Sequence, residues 1–199
     1  MKMSLVAPIL MLAVSPVAAS AANVLDQQQN NAPTPMAGFS QTNLAQSFQT
    51  SASNVSGGGV YLVPGDGSGG GTVTFGLWTA LPNAAGATEL ASGTSAILSA
   101  GQFVDAFWAP VAVTPGATYY LTFDSPSSYV VDGDVSNPYP RGNVYANSGY
   151  QAFPSYDYTF HTFTATGAPE PASWALMLVG VGVAGGVMRR CRRTLSTAA

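Results

Sequence analysis

The stretch TYYLTF, Thr118–Phe123, places Tyr119, Leu121 and Phe123 on one side of an extended chain, because successive strand side chains point to opposite faces. The pair Pro115-Gly116 just ahead of it is a turn signal. Similar short runs recur along the middle of the chain: AQSFQT ending at Thr50, GVYLV at Gly59–Val63, TVTFGLW at Thr72–Trp78, a weaker piece within ELASGTSAIL, FVDAFWAPVAV at Phe103–Val113, then NVYA and YDYTFHTF. Pro110 marks an edge or a bend in the longest of them. No segment of this region sustains helical periodicity. The pattern predicts an all-β fold, an antiparallel two-sheet β-sandwich of jelly-roll-like plan. Composition agrees: Gly (22) and Pro (14) are abundant, and charged residues are 8%, against roughly 25% in an average globular chain.

The charges are unevenly placed. Arg141 is the only basic residue between positions 23 and 168, against eight carboxylates, a net of −7. A body of that sign repels phosphate backbones, so nucleic acid is not expected as a partner. Four of the six basic residues, Arg189, Arg190, Arg192 and Arg193, are gathered at one end. The only cysteine, Cys191, lies among them, so the body has neither a disulfide nor a sulfur ligand. Cys191 reads as an incidental thiol rather than a lipidated one.

Both ends are apolar. At the start, Lys2 precedes an apolar run over Leu5–Val14 of about ten residues, the length of a signal-peptide core and too short to span a bilayer. Pro16 breaks the run, and Ala19-Ser20-Ala21 has the small-residue form of a cleavage site. At the other end nothing is charged from Ala172 to Met188, about 17 residues, the short limit of a membrane span. Trp174 stands near its outer boundary and the arginines follow at once. The positive-inside rule keeps those arginines cytoplasmic and the body outside, the orientation an N-terminal signal also demands.

The sequence thus divides into a signal peptide (1–21), a flexible proline-bearing leader (22–38), a β-sandwich domain (39–166), a C-terminal signal (167–193) and a short tail (194–199). The tripeptide Pro169-Glu170-Pro171, the apolar span and the cluster Arg189, Arg190, Arg192 and Arg193 stand in that order. Together they resemble the PEP-CTERM sorting signal. The resemblance implies export, transient anchoring in the inner membrane by the tail, and processing near the tripeptide by a membrane-embedded exosortase, in a bacterium that produces exopolysaccharide. Prolines on both sides of Glu170 keep the motif extended, as a protease-like enzyme requires. Gln46–Phe163 also resembles a recurring exported β-sandwich module, on the segments QSF, VYLV, VTFGLW, LASGT, VTPGATYYLTF and YDYTFHTF. In plan it is similar to carbohydrate-binding jelly rolls, and no ligand residues carry over from that likeness.

Few residues in the body point to chemistry. Gly65, Gly67 and Gly70 formally match G-x-G-x-x-G, but a strand-like run follows where a dinucleotide loop needs a helix, so a hairpin loop is expected. His161 is the only histidine, sits in an alternating run beside Phe160 and Phe163, and is expected to be a sheet residue. A hydrolase would need it beside a serine and an aspartate, and no G-x-S-x-G elbow is present. Asp132 and Asp134, with Asp124 and Asn137 near in sequence, offer hard oxygen ligands for structural calcium, but the spacing does not match a twelve-residue EF-hand loop and solvated turn aspartates are the favoured account. No cofactor is implied. Tyr139, Arg141, Tyr145, Tyr150 and Tyr156 fall in one Gly/Asn/Pro-rich region and are the candidate ligand-binding residues, since aromatic faces suit sugar C–H groups. The expectation is a non-enzymatic exported protein with a structural or adhesive role and exopolysaccharide as partner. A dedicated carbohydrate-binding module is the alternative.

Overall fold

The computed structural model describes residues 22–65 and 70–166. The signal peptide, the Pro-Glu-Pro tripeptide, the apolar C-terminal span and the arginine cluster lie outside the described residues. Ala22–Thr166 forms a compact unit of its own. Among the described residues no helix is long and apolar enough to cross a membrane.

Among the described residues there are thirteen strands: β1 (Asn23–Gln29), β2 (Thr34–Gly38), β3 (Ala45–Gln49), β4 (Asn54–Val63), β5 (Thr72–Trp78), β6 (Glu89–Ala96), β7 (Gln102–Ala112), β8 (Thr118–Asp124), β9 (Val130–Asp134), β10 (Val144–Ala146), β11 (Gln151–Phe153), β12 (Asp157–Tyr158) and β13 (Phe160–Ala165). They form two antiparallel sheets. The first runs β1-β13-β4-β9-β12, with β2 on β9 and β7 on β4; the second runs β11-β10-β3-β8-β5-β6. The expected sandwich-type arrangement follows, with the core between the inner faces.

Alternation puts the core there. Phe48, Phe75, Leu77, Leu121 and Phe123 of the second sheet meet Val55, Val60, Leu62, Val131 and Phe160 of the first, each at most 3% exposed. Tyr119, Leu121 and Phe123 share the buried face, as the sequence predicts. The two sheets approach closely at Gly58: a Cβ there would lie 2.6 Å from Cδ1 of Leu121, so the leucine occupies the space that a larger residue would need. Pro110 lies where extra residues of β7 stand against a register shift in β4 between Val55 and Gly57, so it removes no needed ladder bond.

Two expectations need correction. Residues 22–38 are not a flexible leader. Leu25 pairs with Phe163 and Gln28 with His161, while β2 pairs with β9. The polar composition of NVLDQQQ conceals burial by hydrogen bonding: Gln27 and Gln29 are each 4% exposed. Gln27 Oε1 accepts from the Tyr139 hydroxyl at 3.0 Å and from Arg141 Nη2 at 2.6 Å. Nor do the strands flanking the glycine-rich segment, whose residues 66–69 lie outside the described residues, pair as a hairpin, because β4 and β5 belong to different sheets.

Candidate functional site

The five residues nominated from the sequence do not assemble into one site. Tyr139 is 5% exposed, packs edge-on against Phe160 at 5.1 Å, and belongs to the core. Arg141 lies over the Tyr139 ring and ties the loop to β1 through Gln27. Tyr156 stacks on Phe153 beside a hollow of about 370 Å³ that opens between the sheets, with Met36, Val135 and Val144 in its wall. Tyr145 and Tyr150 are different: Tyr145 belongs to the outer face of the second sheet, and Tyr150, in the turn after β10, borders a hollow on that face.

That face follows from the register. The residues of β8 that do not enter the core are Thr118, Tyr120, Thr122 and Asp124. Tyr120 stands opposite Trp78 on β5 and opposite Ser47 on β3, and Trp78 stands opposite Glu89 on β6. Tyr145 of β10 leans edge-on against Tyr120, with ring centroids 5.7 Å apart. Burial, then the neighbouring Tyr145, raises the Tyr120 phenol above its ordinary value.

Two hollows follow one another along β8. The first, about 350 Å³, is lined by Ser47, Gln49, Thr118, Tyr120, Arg141, Asn143 and Tyr145 among others. The second, about 390 Å³, is lined by Thr74, Gly76, Trp78, Glu89, Thr122, Asp124 and Tyr150 among others. At its floor Gly76 matters because it lacks a Cβ: one would lie 2.6 Å from Nε1 of Trp78 and 2.8 Å from Oγ1 of Thr122. The bare backbone lets the indole lie across the sheet. Trp108, by contrast, directs its N–H to the Val55 carbonyl at 3.2 Å, whereas that of Trp78 lies over Gly76, where the Glu89 carboxylate also reaches. Tyr150 holds a positive φ of 55°, a conformation costly for a bulky side chain. Its phenol is raised by burial and by the charge of Asp124.

Trp78 and Tyr120 are not among the residues to which the sequence points, since neither lies in the Gly/Asn/Pro-rich region. The alternation of TYYLTF already sets Tyr120 against its buried neighbours, but its pairing with Trp78 joins segments far apart in the chain.

The other chemistry-bearing residues have local explanations. His161 stacks on Phe103 with centroids 3.5 Å apart; its Nε2 meets Asn30 Oδ1 at 3.2 Å and its Nδ1 meets Asp105 Oδ1 at 3.4 Å. Among the described residues no serine hydroxyl bonds to this imidazole, so the triad arrangement is not present there. Asp132 receives the Gly133 N–H, and burial raises its carboxyl. Asp134 receives the Ser136 hydroxyl and N–H, which lower its carboxyl. Asp124 lies apart, on the aromatic face. Among the described residues no group of three or more His, Cys, Asp or Glu side chains is placed to share a metal ion.

Comparison with known proteins adds one finding. Residues 168–193 match the PEP-CTERM protein-sorting motif. Such a motif implies an exported protein with a C-terminal membrane-anchoring sorting signal and exosortase as its processing partner. Neither a curated protein nor a solved structure matches the chain.

Proposed function

We propose that this chain is a non-enzymatic protein of the cell surface or extracellular matrix, delivered by exosortase and associated there with exopolysaccharide in a structural or adhesive role. The sorting motif at residues 168–193 is the observation that carries this reading. The signal peptide starts export. The arginines halt translocation and hold the tail in the inner membrane, and cutting near Pro169-Glu170-Pro171 releases the body. What is released is a jelly-roll-like module with a net charge of −7, soluble through its own repulsion and without affinity for nucleic acid. The narrower reading, a dedicated carbohydrate-binding module, is favoured by the aromatic outer face of the second sheet.

The test is sorting. Replacing Pro169, Glu170 and Pro171 by alanine is expected to leave the full-length chain in the inner-membrane fraction with its tail intact. Mass spectrometry of the wild-type protein's C-terminus is expected to end near the tripeptide. Normal release of the triple variant overturns the proposal.

A further inference from the structure

We infer that the outer face of the second sheet is a binding platform for an extended, largely neutral glycan lying along β8. The inference rests on the reading of the body as an exported protein that meets exopolysaccharide, and it supplies the site and the ligand class.

Three observations converge. The first is surface chemistry. Trp78, Tyr120 and Tyr145 offer apolar rings on a sheet face otherwise made of hydroxyl, amide and carboxylate groups, the mixture that sugar rings present in reverse. The second is shape. The two hollows share β8, and Thr118 to Asp124 covers about 20 Å at roughly 3.4 Å per residue, so the face takes a chain rather than a single sugar. Gly76 keeps the floor open beneath the indole, and Tyr150 is held at the rim in a conformation its side chain does not favour. The third is hydrogen-bonding capacity. The indole N–H of Trp78 and the Glu89 carboxylate flank the same point over Gly76, Glu89 and Asp124 accept hydroxyls at one end, and Asn143 and Arg141 donate at the other.

The same face argues against other polymers. An extended peptide binds sheets by their edges, where main-chain groups are free. Here β8 is flanked by β3 and β5, so its main chain is already committed. A polyanion charged at every unit is repelled by a body of net charge −7 that carries one arginine. Arg141 accommodates at most an isolated acidic unit.

The experiment uses the exported protein on an array of neutral glycans, polyuronates and the host's own exopolysaccharide, with unfolded casein as the peptide probe. Binding to neutral glycans is expected, weakened about tenfold or more in Trp78→Ala and in Tyr120→Ala. Tyr120→Trp is expected to retain binding, and Tyr156→Ala, in the separate hollow between the sheets, to leave it unchanged. Circular dichroism and urea midpoints establish that each variant is folded, and if Trp78→Ala does not fold, the Tyr120 pair decides. Absence of binding to every neutral glycan, equal binding by the Tyr120→Ala variant, preference for polyuronates, or capture of casein each overturns the inference. Fractionation of the same cells separates the two failures: a correctly released protein that binds nothing removes the platform alone, whereas a protein kept full-length in the cytosol removes the exported role.

Discussion

Asp157 supplies a test of the core. Its side chain is wholly buried and accepts the Tyr139 N–H at 2.8 Å and Gln46 Nε2 at 3.1 Å. Burial pushes its carboxyl up from 3.8 to about 6, the cost of charging it away from water outweighing the two bonds it accepts. The folded protein therefore holds this proton more tightly than the unfolded chain. The stabilisation linked to it is complete below the ordinary value and falls as pH rises, levelling off above about 6. A difference of roughly two pKa units, at about 1.36 kcal/mol each, amounts to about 3 kcal/mol. With an m value near 2 kcal/mol/M, the urea midpoint is expected to drop about 1.5 M between about pH 4 and pH 7 from this group. Other carboxylates superimpose their own slopes; Asp134, lowered by Ser136, contributes with the opposite sign. The measurement is thus the wild type minus Asp157→Asn, which cannot ionise. Its single carbonyl oxygen serves only one of the two donors, so the variant is less stable at pH 4. Its deficit is expected to shrink as pH rises. A deficit constant to within about 0.5 kcal/mol, or one that grows with pH, refutes the reasoning.

Gly58→Val is expected to destabilise the body by about 1–3 kcal/mol, read from its urea midpoint, because the new side chain meets Leu121 of the facing sheet. Deleting residues 22–31 is expected to abolish cooperative unfolding, since it strips the partner from β13 and removes the acceptor of Tyr139 and Arg141. Were 22–31 a leader, the truncated protein would melt as the full one does.

The all-strand character was legible because it rests on local alternation: Tyr119, Leu121 and Phe123 are buried as their spacing requires. The sorting motif was legible for a similar reason, its three parts being contiguous. β1 was not, because its burial depends on pairing with β13 and on Gln27, whose side-chain partners Tyr139 and Arg141 lie far along the chain. Tyr139 was misplaced for the same cause. A tyrosine in a Gly/Asn/Pro-rich stretch reads as surface, but Gln27 and the Gln49 N–H meet its hydroxyl inside the fold. The aromatic face of the second sheet is assembled from β10, β8 and β5, and no single window of sequence contains it.

The pairing of β1 with β13 also governs timing. Asn23 meets Ala165, and the Thr166 N–H bonds to the Ala22 carbonyl, so the first strand is the neighbour of the last. Contacts across that much chain carry a heavy closure entropy and form late. The sheet completes itself only after nearly every residue has emerged. The strands of the second sheet, β3 to β11, are all made before β13, whereas β1 waits for its partner until the last strand is available.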